Sequence, residues 1–558
     1  MWTHVFHQSM NSITKHKKLL HKNYSTNLMT KINFTNHLSV DQLFVTAVQH
    51  HQVGDYQQAE IIYHHILGLD PAHYLSLNNL GLINLQSGRN NQAEEYFKHA
   101  ITANSNYYEA HTNLGNLHLR NGCCVPAISS YKEALRIASD DEEVWANLGN
   151  AYFKNNQFSQ TIKCYQTAIQ LNSSRYDLHK MLGNCHYILG QYQDAIRSYK
   201  ESLKINPRQP ELYCKTGLSC QNIGLYERGV ECFRQAVALE PDNAELHSQF
   251  GTSLLLTGDF MNGWLEYEWR HKMAKYNRHF VKPFWTGEDC DGQTLLIYAE
   301  QGIGDTIQFL RFVTLLEDRN LTVLFECPPR LKPLIESWNF LSKKFKVFSI
   351  GENLPDFDFY LPLMSLPFLL GFNQIDQISS IAPCQFSICG TDNRYLIKRN
   401  ENDLKIGLAW AGNPEHARDR DRSIKFTEFS KLLRLKNCSF FSLQVGQART
   451  ELYKKSNASL RESITDWGQT FTNFFDTAQA ISQLDLVITV DTAIAHLSAT
   501  MGKMTWIMLS ANPDWRWLVR RENSPWYPKA RLFRQQIFGR WDPVIANIAQ
   551  NLLKIKKN

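Results

Sequence analysis

The sequence predicts an α-helical repeat solenoid followed by an α/β domain with two parallel-sheet lobes. Three observations carry that prediction. A pattern of small and aromatic residues recurs every 34 positions up to about residue 275. Beyond it, short apolar runs alternate with helical stretches. At 558 residues the chain has room for several cores, since one domain takes ~100–200 residues.

The repeat comes first. Ala47, Gly81, Gly115, Gly149, Gly183, Gly217 and Gly251 stand 34 residues apart. Twelve positions on lie Ala59, Ala93, Ala127, Thr161, Ala195, Gly229 and Gly263, and four beyond those Tyr63, Phe97, Tyr131, Tyr165, Tyr199, Phe233 and Tyr267. Two antiparallel helices per unit must approach closely, so glycine or alanine marks the crossing and the aromatic fills the gap to the next unit. Gly54, Gly88, Gly122, Gly190, Gly224 and Gly258 end the first helices, where a left-handed cap suits glycine. Pro71, Pro207 and Pro241 close units, because proline cannot continue a helix. Seven units over residues 39–275 resemble the tetratricopeptide pattern.

Stacked helical pairs leave a concave groove. Asn79, Asn113 and Asn147 recur in the first helices, and Asn116, Asn150 and Asn184 follow the small position directly. An asparagine amide offers a donor and an acceptor together. These six are therefore expected to hold an extended peptide by its backbone, the protein partner of the array. A spacer, or an arm that makes a homo-oligomer, is the alternative.

After the last repeat, Lys282-Pro283-Phe284-Trp285 and Gly287 break the helical pattern. Strands are expected at 294–300, 322–327 and 346–350, with an extended piece at 354–363. A second set is expected at 405–412, 440–446, 484–491 and 505–510. Alternating strands and helices argue for parallel sheets. They divide into two Rossmann-like lobes, 276–398 and 399–558, with ligands expected at the carboxyl ends of the strands.

Three strand ends carry polar chemistry. The first is Glu300-Gln301-Gly302-Ile303-Gly304-Asp305-Thr306, where Gly302 and Gly304 allow close backbone approach and Asp305 opens a helix. A helix cap would explain Asp305 without a ligand. In the second, the apolar strand Leu486–Val490 ends in Asp491-Thr492-Ala493 and turns into a helix. Free amides at a helix start make a diphosphate seat. His496 lies one turn in, on the face of Thr492, as a ligand contact or a packing histidine. The third is the polar loop from Asn413 to Lys425, which includes Arg422. Arginine contacts phosphate with two donors, although a charge run also suits a solvated loop.

Read in order, these segments and Leu354-Pro355-Asp356, Gly407–Pro414, Ser442-Leu443-Gln444, Asp514-Trp515-Arg516-Trp517 and Ser524–Pro528 resemble the bacterial tetratricopeptide proteins whose catalytic half is similar to heptosyltransferases, glycosyltransferase family 9. The resemblance covers nearly all of residues 260–550. It implies a GT-B fold, a nucleotide-diphosphate sugar as substrate, no cofactor or metal, and inversion at the anomeric carbon. It places Asp305 on the general-base position, and Asp491, Thr492, Ala493 and His496 on the donor-binding Asp-Thr-Gly-x-x-His pattern, with Ala493 in place of glycine. It assigns Arg422 or Lys425 to the donor phosphates, with Arg422 preferred, and gives Gln444, with Gly302, Gly304 and Asn413, to the donor side. The Leu497–Met504 stretch departs from the small-residue pattern of that family. Heptosyltransferases proper lack a repeat array, so their heptose and lipopolysaccharide do not carry over. The layout also resembles protein O-linked N-acetylglucosamine transferase, without its catalytic motifs.

Bulk properties narrow the classes further. A net charge of +6 and the absence of a reading motif argue against nucleic acid. The 12 cysteines form no C-x-x-C pair, as expected for reduced thiols and a cytoplasmic protein. No ligand spacing suggests a metal. No apolar run reaches the ~18 residues of a membrane span. Residues 1–38 are basic, with Lys15, Lys17, Lys18, Lys22 and Lys31 and no acid, and are expected to be a disordered tail or an organelle transit segment. The expected function is transfer of a sugar to a protein recruited by the array. The alternative is a repeat scaffold whose sugar-nucleotide domain is degenerate.

Overall fold

The computed structural model describes residues 38–555 apart from 277, 279, 290, 339–343, 383, 389–392, 396–402 and 417. The basic tail expected over 1–38 therefore lies outside the described residues except for Leu38. The chain forms two compact units that part between Pro207 and Arg208.

The first unit holds five helical hairpins: Val40–Gln52 with Tyr56–Leu69, Tyr74–Gln86 with Asn90–Ala103, Tyr108–Arg120 with Cys124–Ile137, Glu142–Lys154 with Phe158–Leu171, and Tyr176–Ile188 with Tyr192–Ile205. Gly54, Gly88, Gly122 and Gly190 take positive φ in the turns. Where the repeat lacks that glycine, Asn156 adopts φ 57° instead, the residue type besides glycine that best tolerates this conformation. The small positions are small for a measurable reason. A Cβ on Gly115 would lie 2.7 Å from the Tyr131 ring, and one on Gly149 2.6 Å from Tyr165. Tyr63, Tyr131, Tyr165 and Tyr199 are all fully buried.

The second unit contains two more hairpins, Pro210–Asn222 with Tyr226–Leu239 and Ala244–Thr257 with Phe260–Tyr267, and everything after them. The sequence placed the domain boundary at 275; the compact unit begins about two repeats earlier. Packing explains the difference. Tyr226, Leu255, Phe260 and Trp264 bury into the same core as Leu295 and Ile297 of the first sheet. Trp264 donates its indole N–H to Phe372 O at 2.8 Å, and Tyr226 its hydroxyl to Ala511 O at 3.1 Å.

The α/β part has two all-parallel sheets. The first is ordered β3-β2-β1-β4, with β1 Thr294–Tyr298, β2 Thr322–Cys327, β3 Phe345–Ser349 and β4 Phe359–Pro362. The second is ordered β10-β9-β8-β5-β6-β7, with β5 Leu404–Ala409, β6 Cys438–Ser442, β7 Ile464–Asp466, β8 Leu486–Val490, β9 Met504–Leu509 and β10 Ala530–Arg534. Strands β7 and β10 escape sequence reading: the first is three residues long, and the second carries an arginine at each end of its apolar pair. The strand order reverses between β1 and β4 in one sheet and between β5 and β8 in the other. Such switch points open a crevice at the strands' carboxyl ends. Among the described residues no helix is long and apolar enough to cross a membrane.

Candidate functional site

The loops leaving the two switch points meet. The Ile303–Phe309 helix after β1 packs on the Ala493–Thr500 helix after β8, and Gly304 is the contact. A Cβ there would stand 2.7 Å from His496 Cδ2 and 3.6 Å from Ala493 Cα. Glycine at 304 thus lets the two polar strand ends close on each other.

Asp305 is the third residue of its helix, and Gly302 is the N-cap. One carboxylate oxygen accepts the Gly302 N–H at 2.9 Å. The other meets Arg516 Nη2 at 2.6 Å. Arg516 comes from the turn after β9, and its Nη1 meets Asp514 Oδ1 at 2.7 Å. Burial raises the Asp305 pKa above the ordinary carboxylate range, against the pull of Arg516. Asp514 stays below that range, because Arg516 and its N–H bonds outweigh burial. Aspartates of opposite tendency therefore flank one guanidinium.

At the end of β8, Asp491 retains 14% side-chain exposure. Burial and the nearby Asp514 push it up to about 6, while Arg422 and Arg516 pull the other way. His496 is 4% exposed, and burial, reinforced by Arg516, holds it down to about 3. It is neutral at neutral pH, so its 4.0 Å approach to Asp491 is no ion pair. Its Nδ1 lies 2.9 Å from the Tyr527 hydroxyl. Thr492 caps the Ala493–Thr500 helix without a side-chain bond. No side chain caps the first amides of that helix, while the Ala495 and His496 amides donate to Thr492 O.

The loop after β5 supplies cations. A Cβ on Gly412 would lie 2.6 Å from Arg422 Nη2, so the guanidinium rests against the strand end. Asp419 holds Arg422 Nε at 3.4 Å. Lys425 and Asn413 are exposed. His416 is pulled below its ordinary pKa by partial desolvation and by Arg422, against Asp514 and Asp305. Gln444 is placed differently from expectation. Its Oε1 accepts Trp410 N and Ala411 N, both at 2.9 Å, and its Nε2 donates to Ala411 O and Val445 O, both at 3.0 Å. The amide is spent on holding the loop, not offered to a nucleotide. Among the described residues no group of three or more His, Cys, Asp and Glu is placed to hold a metal ion.

One wall was not foreseen. Tyr267, at the end of the last hairpin, accepts the Gln301 amide N–H at 2.5 Å. Behind it Arg270 is fully buried, with Glu268 Oε1 at 2.5 Å, Glu300 Oε1 at 3.2 Å and Ser365 Oγ at 2.8 Å. Glu268 is held down to about 2, burial being outweighed by Arg270 and His271. A repeat-register tyrosine and a buried charge network thus support the Glu300-Gln301-Gly302 loop that carries Asp305. Trp-Arg-Trp and Trp-Arg pairs in apolar surroundings were the available signal, since a charge there must find a buried partner.

The asparagines are mostly engaged within the array. Asn116 and Asn150 each accept a tyrosine hydroxyl at 2.7 Å, from Tyr131 and Tyr165, and Asn184 accepts that of Tyr199 at 3.1 Å. Asn79 donates to Tyr63 Oη at 2.9 Å, and buried Asn113 to Asn78 Oδ1 at 2.9 Å. Asn147 is half-buried. The row directly after the small position answers buried hydroxyls through its side-chain oxygens, a packing role that the sequence reading as a peptide ladder did not include. The sequence carries the signal: Asn stands at 116, 150 and 184 where the aromatic is Tyr, and Leu at 82 and 218 where it is Phe.

Models of the tetratricopeptide repeat match residues 74–107, 142–175 and 210–243, and a TPR repeat model matches 183–224. The helical array is built of tetratricopeptide repeats. Protein FlbA of Caulobacter vibrioides is 24% identical over 329 residues, 54% of this chain and 54% of that protein. The chain thus spans about half the length of the curated relative it matches. Among solved structures, MamA is 26% identical over 31% of this chain and 94% of its own, with a TM-score of 0.30. YrrB, described as a TPR protein with an unusual peptide-binding site, is 16% identical over 33% of this chain and 95% of its own, with a TM-score of 0.31.

Proposed function

We propose that the chain is a glycosyltransferase that moves a sugar from a nucleotide-diphosphate donor to a hydroxyl of a polypeptide recruited by the array. The observation that carries this reading is the convergence of Asp305 with the Asp491–His496 helix start at two facing switch points. Two parallel-sheet lobes meeting this way are compatible with a GT-B arrangement. The diphosphate would sit on the amides that open the Ala493–Thr500 helix, with Arg422 at its flank. The acceptor oxygen attacks the anomeric carbon from the Asp305 side. Its proton passes to the Asp305 carboxylate as the new C–O bond forms. The bond to the diphosphate breaks with its electron pair on the leaving oxygen, where protein cations meet the charge. Attack opposite the leaving group inverts the anomeric centre.

The test is Asp305→Asn in the full chain, with a panel of UDP-, GDP-, CDP- and ADP-sugars. Transfer should fall by roughly 10²–10⁴-fold, the usual worth of a positioned base, with the fold retained. Full activity in that variant sinks Asp305 as base. Mass spectrometry of glycopeptides from cells with and without the gene identifies the acceptor.

A second reading, a repeat scaffold with an inactive cleft, draws on one observation: both Asp305 oxygens already have partners. It predicts no stabilisation by any nucleoside diphosphate, where a true site raises the melting temperature by mass action.

A further inference from the structure

We infer that Arg516 is a latch on Asp305, a positioning residue that exchanges the carboxylate for the donor's diphosphate and so frees the base only when donor is bound. The inference rests on the transferase reading above and names the residue that would order its substrates.

Arg516 is fixed at one end by Asp514 and meets Asp305 at the other. Asp514 Oδ1 accepts both its backbone N–H, at 3.0 Å, and its Nη1, at 2.7 Å. The guanidinium lies 4.4 Å over the Trp515 ring and is 6% exposed. Its Nη2 takes Asp305 Oδ1 at 2.6 Å, while its buried Nε has no hydrogen-bond partner. A guanidinium has five N–H donors in a rigid fork. It can hold Asp514 through one arm and still present two donor sites to an oxyanion. A lysine could not, because its charge sits at one point.

The groups facing Asp305 come from several elements. Arg516 and Asp514 come from the turn after β9, His416 from the loop after β5, the Tyr267 hydroxyl from the last hairpin, and the Gly302 N–H from its own helix start. His496 touches Gly304 one residue away. Gly302 donates to one oxygen and Arg516 to the other, so the cation rests directly on Oδ1 and holds down its basicity toward an acceptor hydroxyl. A diphosphate on the neighbouring helix start brings more negative charge to the same guanidinium than one carboxylate does. Arg516 already bears electrostatically on Asp491 and His496 there. Once Arg516 turns to phosphate, Asp305 keeps its burial and loses its cation. Both changes strengthen it as a base.

The experiment uses the full chain with UDP, GDP, CDP and ADP as probes. Calorimetric titration in two buffers of different ionisation enthalpy counts protons exchanged on binding. The wild type should take up a proton near the Asp305 titration, and Asp305→Asn should abolish that uptake. Arg516→Gln should also abolish it, weaken nucleotide binding at least tenfold, and move the acid limb of the free enzyme's pH–rate profile up by about one unit. Arg516→Lys, which keeps the charge and guards against misfolding of the Gln variant, should restore part of the affinity but not the proton uptake. Folded Arg516 variants with wild-type uptake and an unmoved acid limb overturn the latch while leaving the transferase reading intact. No binding of any of the four nucleotides overturns both.

Discussion

The same register position does two different jobs in the middle hairpins and in the last one. In the third, fourth and fifth hairpins a tyrosine ring packs on the glycine of its partner helix, and its hydroxyl is met by the asparagine after that glycine. Tyr267 holds that register in the last hairpin, yet its hydroxyl accepts Gln301 from the loop after β1. The cause is local. Gly251 and Gly263 both lie at the crossing, and a Cβ on Gly251 would meet the Tyr267 backbone N at 2.6 Å and not its ring. With the helix backbones this close, no slot remains for the aromatic, and Thr252 replaces the asparagine. A repeat can thus end by turning its own packing residue into a wall of the next structure.

Four measurements break or sharpen that contrast. Arg270→Met has the largest expected effect. It strands Glu268 and Glu300 without their cation, at about 3–5 kcal/mol against the second unit. Tryptophan fluorescence reads that unit almost alone, since only Trp2 and Trp145 of 13 tryptophans precede residue 208. Equal loss of the first unit's helical signal would show that the units do not fold separately.

Asp491→Asn comes next, and it should stabilise. The folded pKa of Asp491, about 6, lies above its unfolded value of about 3.9. The native state therefore binds the proton more tightly. Stability from this group is greatest below about pH 4 and declines as pH rises through 4 to 6. Above that range the ionised side chain is a constant cost, on the order of 3 kcal/mol. The variant should melt higher than wild type at pH 7.5 and equally at pH 4. No pH-dependent gap would refute a raised Asp491 pKa in the folded protein.

Tyr165→Phe should cost the first unit about 1 kcal/mol by leaving Asn150 without its hydroxyl. Adding Asn150→Leu should recover most of it, because Leu82 with Phe97 and Leu218 with Phe233 already use that pair. A double variant no better than the single would refute the pairing. Tyr267→Phe should have the smallest effect on stability, a few tenths of a kcal/mol, because a backed-up charge network holds its loop. It should still slow transfer several-fold. Behaviour like Tyr165→Phe in both assays would erase the distinction between the hairpins.

The array was legible because its determinants are periodic: one ring against one glycine, every 34 residues. Strands with continuous apolar runs, such as Leu486–Val490, were equally plain, while three-residue β7 left no pattern. Asp305, Asp491 and His496 stood out because each ends or follows a strand. Their proximity did not, since it depends on Gly304 meeting His496 across 192 positions. Arg516 and Arg270 stayed hidden for a related reason. A buried arginine is recognised by its carboxylate partners, and Asp305 and Glu300 lie 211 and 30 residues away from them.

The boundary at Pro207 also sets what can be added or removed. Upstream of it, the second to fifth hairpins repeat one glycine–aromatic pair and share cores only with their neighbours, so a duplicated unit meets the same interfaces as the one it copies. Downstream, the hairpins share tryptophans and a charge network with the sheets. Growth of this molecule by repeat insertion is open on one side of residue 208 and closed on the other. A truncation at 276 would excise Trp264, Tyr267 and Arg270 with the array; one at 208 would leave them in place.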